Sequence, residues 1–278
     1  MPFSNPFDKQ KEIHGIMNRT AQARSWRIAF PLLLIMALGV FSAPSVSASE
    51  GIRDTLLNDQ RNYYSKERLL RLGVAFGIGG VVANSSMDEN FQDHFQSRLR
   101  SEDTNDFSDV ANFFGEGQYM LPISLALAGV SFIDEDSVIG EFGAKMARSY
   151  LVGLPPMWAM QRITGASRPS ENPHGSSWRP LNDANGVSGH AFVGAVPFLV
   201  GAGMTDNAFA RGALYVASVA TAFSRVNFDV HYLSQVALGW YMAYEATGAV
   251  QETNRNRRVT VIPVVGQDFH GVVVSARW

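Results

Sequence analysis

SRVNFDVH, at residues 224–231, is the stretch that says most about the fold, because it sets an arginine and a histidine at a fixed spacing. We expect Arg225 just past a helix end, where its planar guanidinium can form paired hydrogen bonds to phosphate oxygens. His231 is predicted to begin the last apolar helix, with Gln235 one turn later on the same face. A lone histidine on an apolar face is more typical of a packed core. This stretch therefore indicates a functional site only in combination with other clusters of polar residues.

Two such clusters lie upstream of this stretch. Arg168-Pro169 falls in a loop at 165–186 that is rich in proline, asparagine, serine and glycine. Ser188-Gly189-His190 ends that loop and opens an apolar helix, with Ser188 as a natural N-cap. Gly189 permits close backbone approach, and the free N–H groups and dipole of a helix N-terminus favour an anion. The clusters together predict an oxyanion site.

The series Arg-Pro, Ser-Gly-His and Ser-Arg-x5-His, in this order, resembles the three motifs of the type-2 phosphatidic acid phosphatase superfamily. That group includes bacterial non-specific acid phosphatases and vanadium haloperoxidases. The resemblance covers residues 161–235 at motif level, and the surrounding sequence is helical. It implies an all-α helical bundle whose chemistry uses no metal and no cofactor.

The resemblance also implies a role for each matching residue. His231 would attack phosphorus and form a phosphohistidine intermediate. His190 would protonate the leaving oxygen and then activate water. The phosphoryl oxygens would be bound by the other motif residues, Arg168, Arg225, Ser188 and the N–H group of Gly189.

Two positions depart from the family pattern. The first motif normally opens with a lysine where this chain has Gln161, and the neighbouring Arg162 is the candidate to replace that lysine. The third motif normally closes with an aspartate where this chain has Gln235. That aspartate accepts a hydrogen bond from the nucleophilic histidine, and an amide accepts the same bond without supplying charge. In the serine-protease triad the comparable change lowers kcat about 10⁴-fold, so an attenuated site is expected.

Composition excludes several other classes of protein. The chain has 278 residues, of which 46% are hydrophobic and 17% charged, with no cysteine and a net charge of −2. Without cysteine there is no disulfide framework and no thiolate metal site. The small net charge argues against disorder and against a nucleic-acid partner. The mean hydropathy of −0.03 lies between the values of soluble and polytopic membrane proteins.

The N-terminus predicts export. An uncharged apolar run of 14 residues at 28–41 follows three arginines and precedes APSVSA at 43–48. This pattern is typical of a secretory signal peptide cleaved after Ala48, and a membrane anchor is the alternative. We therefore expect a periplasmic or membrane-associated protein.

The remaining sequence divides into helices, loops and a terminal pair of strands. The predicted domains are a signal peptide at 1–48, a helical phosphatase-like domain at 49–250 and a C-terminal β-hairpin at 251–278. Charge-free stretches of 15 to 17 residues are just too short to span a bilayer, although a membrane-embedded bundle is the alternative. The predicted elements are apolar segments at 73–83 and 119–133, a helical pattern at 138–160 with a break at Pro155-Pro156, helices at roughly 190–204, 209–224 and 231–247, and a polar surface loop at 87–114.

These observations lead to one functional prediction and two alternatives. The prediction is an exported phosphatase that acts on a phosphomonoester or a lipid (pyro)phosphate. The alternatives are a non-catalytic phosphate- or lipid-binding member of the same fold and a vanadate-dependent oxidase-like use of the oxyanion site. The expected partners are a phosphate-bearing small molecule or lipid, a membrane surface, and a second copy through the terminal hairpin.

Overall fold

The computed structural model describes residues 47–171, 173–265 and 270–276, with side chains described at 51–171 and 173–254. Most of the predicted signal peptide, residues 1–46, lies outside the described residues, so this assignment stays a prediction. The described residues from 50 onward form one compact unit.

The described chain is mainly helical, which confirms the predicted all-α fold class. Two strands at the C-terminal end, β1 (Val259–Val265) and β2 (His270–Ala276), pair antiparallel. The residues between the two strands, 266–269, lie outside the described residues, so the predicted hairpin as a whole stays a prediction. The helices are α1 (Ser47–Tyr63), α2 (Lys66–Ala83), α3 (Met87–Arg98), α4 (Glu102–Phe113), α5 (Gly117–Gly129), α6 (Val138–Thr164), α7 (Gly189–Met204), α8 (Ala208–Ala217), α9 (Ala220–Asn227) and α10 (Leu233–Arg258), with a 3₁₀ turn at Val130–Phe132.

The surface loop predicted at 87–114 is wrong, because this polar segment forms α3 and α4. Ser101 and Thr104 form a reciprocal capping box at the start of α4. Phe95 of α3 is buried and packs edge-on against Phe223, with ring centroids 5.6 Å apart. A few buried side chains therefore suffice to hold two mostly polar helices on the core.

The other helices also differ in detail from the prediction. α6 continues through Pro155 and Pro156, where a break was predicted. A proline inside a helix costs about 3 kcal/mol, and burial of the surrounding turn, including Leu154 and Met157, offsets that cost. The helix predicted at 209–224 is two helices, α8 and α9, and α10 continues past the predicted domain boundary at 250.

α7 is the central helix of the bundle. Its side chains from His190 to Pro197 are buried, and it contacts α6, α8, α9 and α10. Because α7 is buried on all sides, its sequence is apolar around the whole helix and has no polar face. Within the described residues no single helix has the length and apolarity to cross a membrane, and one pair, α2 with α3, meets these criteria only jointly across a 69° bend.

A buried ionic cluster joins α2 to α10. The carboxylate of Glu245 is fully buried and accepts hydrogen bonds from Arg68 Nη1 at 2.6 Å and Arg71 Nε at 2.7 Å. Arg68 also pairs with Glu252 at 3.0 Å. Burial alone would raise the pKa of Glu245, but the bonds from Arg71 and Arg68 hold it below its usual value. The carboxylate is therefore charged and fixes α2 on α10.

We expect Glu245→Ala to lower the free energy of unfolding by about 3–5 kcal/mol, because it leaves the buried Arg68 without its main counter-charge. Urea unfolding followed by circular dichroism measures this change. Asp206→Ala is the control, since Asp206 is exposed and lies 3.8 Å from the exposed Arg211; it should cost less than about 1 kcal/mol. Unfolding of Glu245→Ala at the wild-type urea concentration would contradict a stabilising role for the cluster.

Candidate active site

The end of α9 forms a Schellman motif that brings the backbone of His231 to Arg225. The N–H groups of Val230 and His231 donate to the carbonyl oxygen of Arg225 at 3.1 and 3.3 Å. Asp229 occupies the left-handed position of the motif, with φ 58°, where glycine is usual. The N–H of Asp229 donates to the carbonyl oxygen of Val226 at 3.1 Å, which completes the motif. The six-residue spacing between Arg225 and His231 in the sequence therefore corresponds to one tight turn.

His231 is paired with Gln235 inside the protein. Its Nδ1 lies 2.7 Å from Oε1 of Gln235, and both side chains are buried. Nε2 of Gln235 donates to the carbonyl oxygen of Ser167 at 2.7 Å, which directs the amide oxygen toward the histidine. This network assigns the proton of His231 to Nδ1 and leaves Nε2 with a free lone pair. The sequence placed His231 at a helix start, but α10 begins two residues later, at Leu233.

α3 holds this turn and the start of α10 from the side. Asp88 accepts hydrogen bonds from the N–H of Ser234, at 2.9 Å, and from its hydroxyl group. Nε2 of Gln92 donates to Oδ1 of Asp229 at 2.7 Å and to the carbonyl oxygen of Val226 at 3.1 Å. Sequence reasoning assigned no role to Asp88 or Gln92, because both lie in the segment predicted as a loop.

The N-terminus of α7 is held against α10. Ser188 caps α7 with its side chain, and its N–H donates to the carbonyl oxygen of Gln235 at 2.9 Å. A Cβ at Gly239 would lie 2.3 Å from the carbonyl oxygen of Ser188, so glycine permits this close approach. Gly189 and His190, in the first turn of α7, therefore lie beside the part of α10 that carries Gln235.

His190 contacts a carboxylate that no motif indicated. Its Nε2 lies 3.3 Å from Oε1 of Glu116, which immediately precedes α5. Nδ2 of Asn112 donates to the same oxygen at 3.3 Å, and Oδ1 of Asn112 accepts from Nη1 of Arg225 at 2.6 Å. A polar chain thus connects His190 with the end of α9.

Burial and the two arginines determine the charge of the site. Burial lowers the pKa of His231 well below its usual value, and Arg168 and Arg225 act in the same direction. Burial and Arg225 lower the pKa of His190 to about 4, with Glu116 opposing the shift. Burial, followed by Arg168, lowers the pKa of Arg225 to about 10. At pH 7 both histidines are therefore neutral and Arg225 is charged, which suits an anionic ligand.

The first motif contributes Arg168 and Gln161 to the site. Nε of Arg168 donates to Oδ1 of Asn185 at 2.9 Å, which orients the guanidinium. Nε2 of Gln161 donates to the carbonyl oxygen of Val187 at 2.8 Å, next to the N-cap of α7. Arg162 does not take the place of the family lysine, because it lies on the exposed side of α6. A step of one residue turns a side chain about 100° around a helix.

A family model described as the PAP2 superfamily matches residues 137–258. Residues 137–258 belong to the PAP2 superfamily. The PAP2 match runs from α6 to α10 and includes all three motifs, whereas Asp88, Gln92 and Glu116 lie outside it. Members of the PAP2 superfamily are generally phosphatases, which places the chain broadly among phosphoester hydrolases. No curated protein and no solved structure matches the chain.

Proposed function

We propose that the protein is an exported phosphatase that hydrolyses a phosphomonoester or a lipid (pyro)phosphate through a phosphohistidine intermediate. The contact of His231 Nδ1 with Gln235 Oε1 at 2.7 Å carries this proposal, because it leaves Nε2 as the nucleophile. The depressed pKa of His231 keeps this nitrogen unprotonated in mildly acidic solution.

Two displacements at phosphorus make up the reaction. Nε2 of His231 attacks phosphorus while the bond to the leaving oxygen breaks, and protonated His190 donates its proton to that oxygen. Water then attacks phosphorus, the N–P bond breaks, and His190 accepts the proton from water. Arg168 and Arg225 stabilise the charge on the phosphoryl oxygens. Binding of the anionic substrate raises the pKa of His190, so the proton donor forms with the complex.

Exposed apolar side chains favour a substrate with an apolar group. Phe113 and Tyr119 stack with ring centroids 5.7 Å apart, on either side of the connection that carries Glu116. Both are about half exposed, at 46% and 50%. Large exposed apolar patches are typical of membrane or ligand contacts, and they support a lipid phosphate as substrate. A further exposed apolar face lies on α2, at Leu70, Val74, Ile78 and Val81.

Phosphate release from p-nitrophenyl phosphate and from phosphatidic acid in mixed micelles, by wild type and His231→Ala, tests the proposal. Activity in the wild type that the variant lacks supports it. Equally slow release by both proteins would favour the non-catalytic alternative, for which the neutral amide of Gln235 is the specific observation. Cell fractionation with a carbonate wash tests export and membrane association.

The attenuation predicted from Gln161 and Gln235 has its own test. We expect the double variant Gln161→Lys/Gln235→Asp to raise kcat by roughly tenfold or more. The lysine ammonium group would bind a phosphoryl oxygen, and the aspartate carboxylate would stabilise positive charge on the nucleophilic histidine. Steady-state kinetics with p-nitrophenyl phosphate measures this gain. An unchanged kcat, in a variant with the wild-type melting temperature, would mean that these two positions do not correspond to the family lysine and aspartate.

A further inference from the structure

Glu116 lies outside the three motifs and outside the matched segment 137–258, yet its carboxylate contacts His190. We infer that Glu116 is a positioning residue that holds His190 in the orientation and charge state needed to protonate the leaving group. This inference rests on the proposed phosphatase function and adds a residue to it.

Two elements, α4 and α7, contact the carboxylate of Glu116, and α9 supports the contact from α4. Nδ2 of Asn112, on α4, donates to the oxygen that faces His190, and Arg225, on α9, donates to Oδ1 of Asn112. The connection between α4 and α5 passes close to α7, since a Cβ at Gly115 would lie 3.0 Å from Cβ of His190 and 2.7 Å from Thr221. The position of Glu116 is thus set by packing and by hydrogen bonds.

The charges around His190 show what Glu116 contributes. The groups that face it are Arg225 from α9, Arg168 from the loop before α7, His231 from the turn before α10, and Glu116. Burial and both arginines disfavour a protonated imidazole, whereas Glu116 favours it. In return, the hydrogen bond with His190 lowers the pKa of Glu116, so the carboxylate is charged.

The two histidines therefore have different partners. The amide of Gln235 accepts a hydrogen bond from His231 without adding charge, which keeps the nucleophile neutral. The carboxylate of Glu116 faces the histidine that must carry a proton. The negative charge that is missing beside the nucleophile is present beside the proton donor.

Leaving-group dependence separates this role from a structural one. We expect Glu116→Gln to lower kcat/KM for glycerol phosphate about 100-fold, because an alkoxide needs a proton to leave. The loss for p-nitrophenyl phosphate should stay below about fivefold, since a nitrophenolate leaves unprotonated. The basic limb of the pH profile of kcat/KM should move to lower pH. Glu116→Asp, which keeps the charge, should recover part of the loss.

Glu135→Gln is the matched control, because Glu135 is exposed in the turn before α6, and both rates should stay at the wild-type value. Equal losses on the two substrates, with an unmoved pH profile and no recovery in Glu116→Asp, would overturn the inference and leave Glu116 a structural residue.

The role of Glu116 can also be measured without catalytic turnover, by titrating His190, so its test does not depend on phosphatase activity. If wild type is no faster than His231→Ala, the phosphatase proposal fails. Nitrogen-15 NMR of labelled histidines in the presence of inorganic phosphate then decides the role of Glu116. We expect the pKa of His190 to be about one unit lower in Glu116→Gln than in wild type. Identical titration of His190 in the two proteins would overturn the inference.

Discussion

His231→Ala is expected to lower kcat by on the order of 10⁴-fold or more and to abolish any covalent phosphoenzyme. Nε2 of His231 is the unprotonated nitrogen that the Gln235 contact directs away from the amide, so its removal leaves no nucleophile for the first step. Rapid quench with a substrate labelled at phosphorus measures both quantities. The label on wild type should be stable in base and labile in acid, as a phosphoramidate is.

His94→Ala is the control for this measurement, because His94 is exposed on α3. It should keep the wild-type kcat and the label. A His231→Ala protein that still accumulates the labelled intermediate would assign the nucleophile to another residue. Circular dichroism of both variants shows whether the fold is retained.

Gln235→Leu is expected to lower kcat by about 10³- to 10⁴-fold, a loss comparable with that of the orienting group in a serine-protease triad. Leucine has a similar size but accepts no hydrogen bond, so the proton of His231 is free to move to Nε2 and block attack. The carbonyl oxygen of Ser167 also loses its donor, which should cost about 1–3 kcal/mol of stability.

Phosphate affinity shows whether Gln235→Leu has lost only the His231 tautomer or the phosphate-binding site as a whole. Gln235→Leu should bind inorganic phosphate within about threefold of wild type by calorimetry, because Arg168 and Arg225 are unchanged. A variant that keeps more than a tenth of the wild-type kcat would show that Gln235 does not set the tautomer. Gln235→Glu, which keeps an oxygen beside His231, should retain more activity than the leucine variant.

The motif residues could be placed from the sequence because local backbone geometry joins them. Arg225 and His231 share one turn, although Arg225 lies in the last turn of α9 and not just past a helix end as predicted. Ser188 begins a helix whose apolar pattern is plain. The broad fold class followed from the family resemblance, with which the helical pattern of the surrounding sequence agreed. Arg162 was misplaced because sequence proximity does not tell which side of a helix a residue occupies.

Glu116 and Asp88 could not be placed in the same way, because their partners lie 74 and 146 residues away along the chain. Contacts of this range leave no periodic signal in a single sequence. A weaker signal was present in the polar segment itself. Ser101 followed by acidic residues is a helix start, and it indicates that α4 is a helix. With α4 in place, Glu116 falls at the next helix junction.

The turn at the end of α9 also determines where the chain can change length. A single carbonyl oxygen, that of Arg225, receives the N–H groups of both Val230 and His231. One residue inserted between Arg225 and His231 would break both bonds and turn the imidazole away from Gln235. An insertion in the exposed connection between α7 and α8, at 206–207, leaves every one of these bonds in place. The backbone separation of Arg225 from His231 is therefore set within eight consecutive residues, 224–231, and Gln92 of α3 supports that turn from the side.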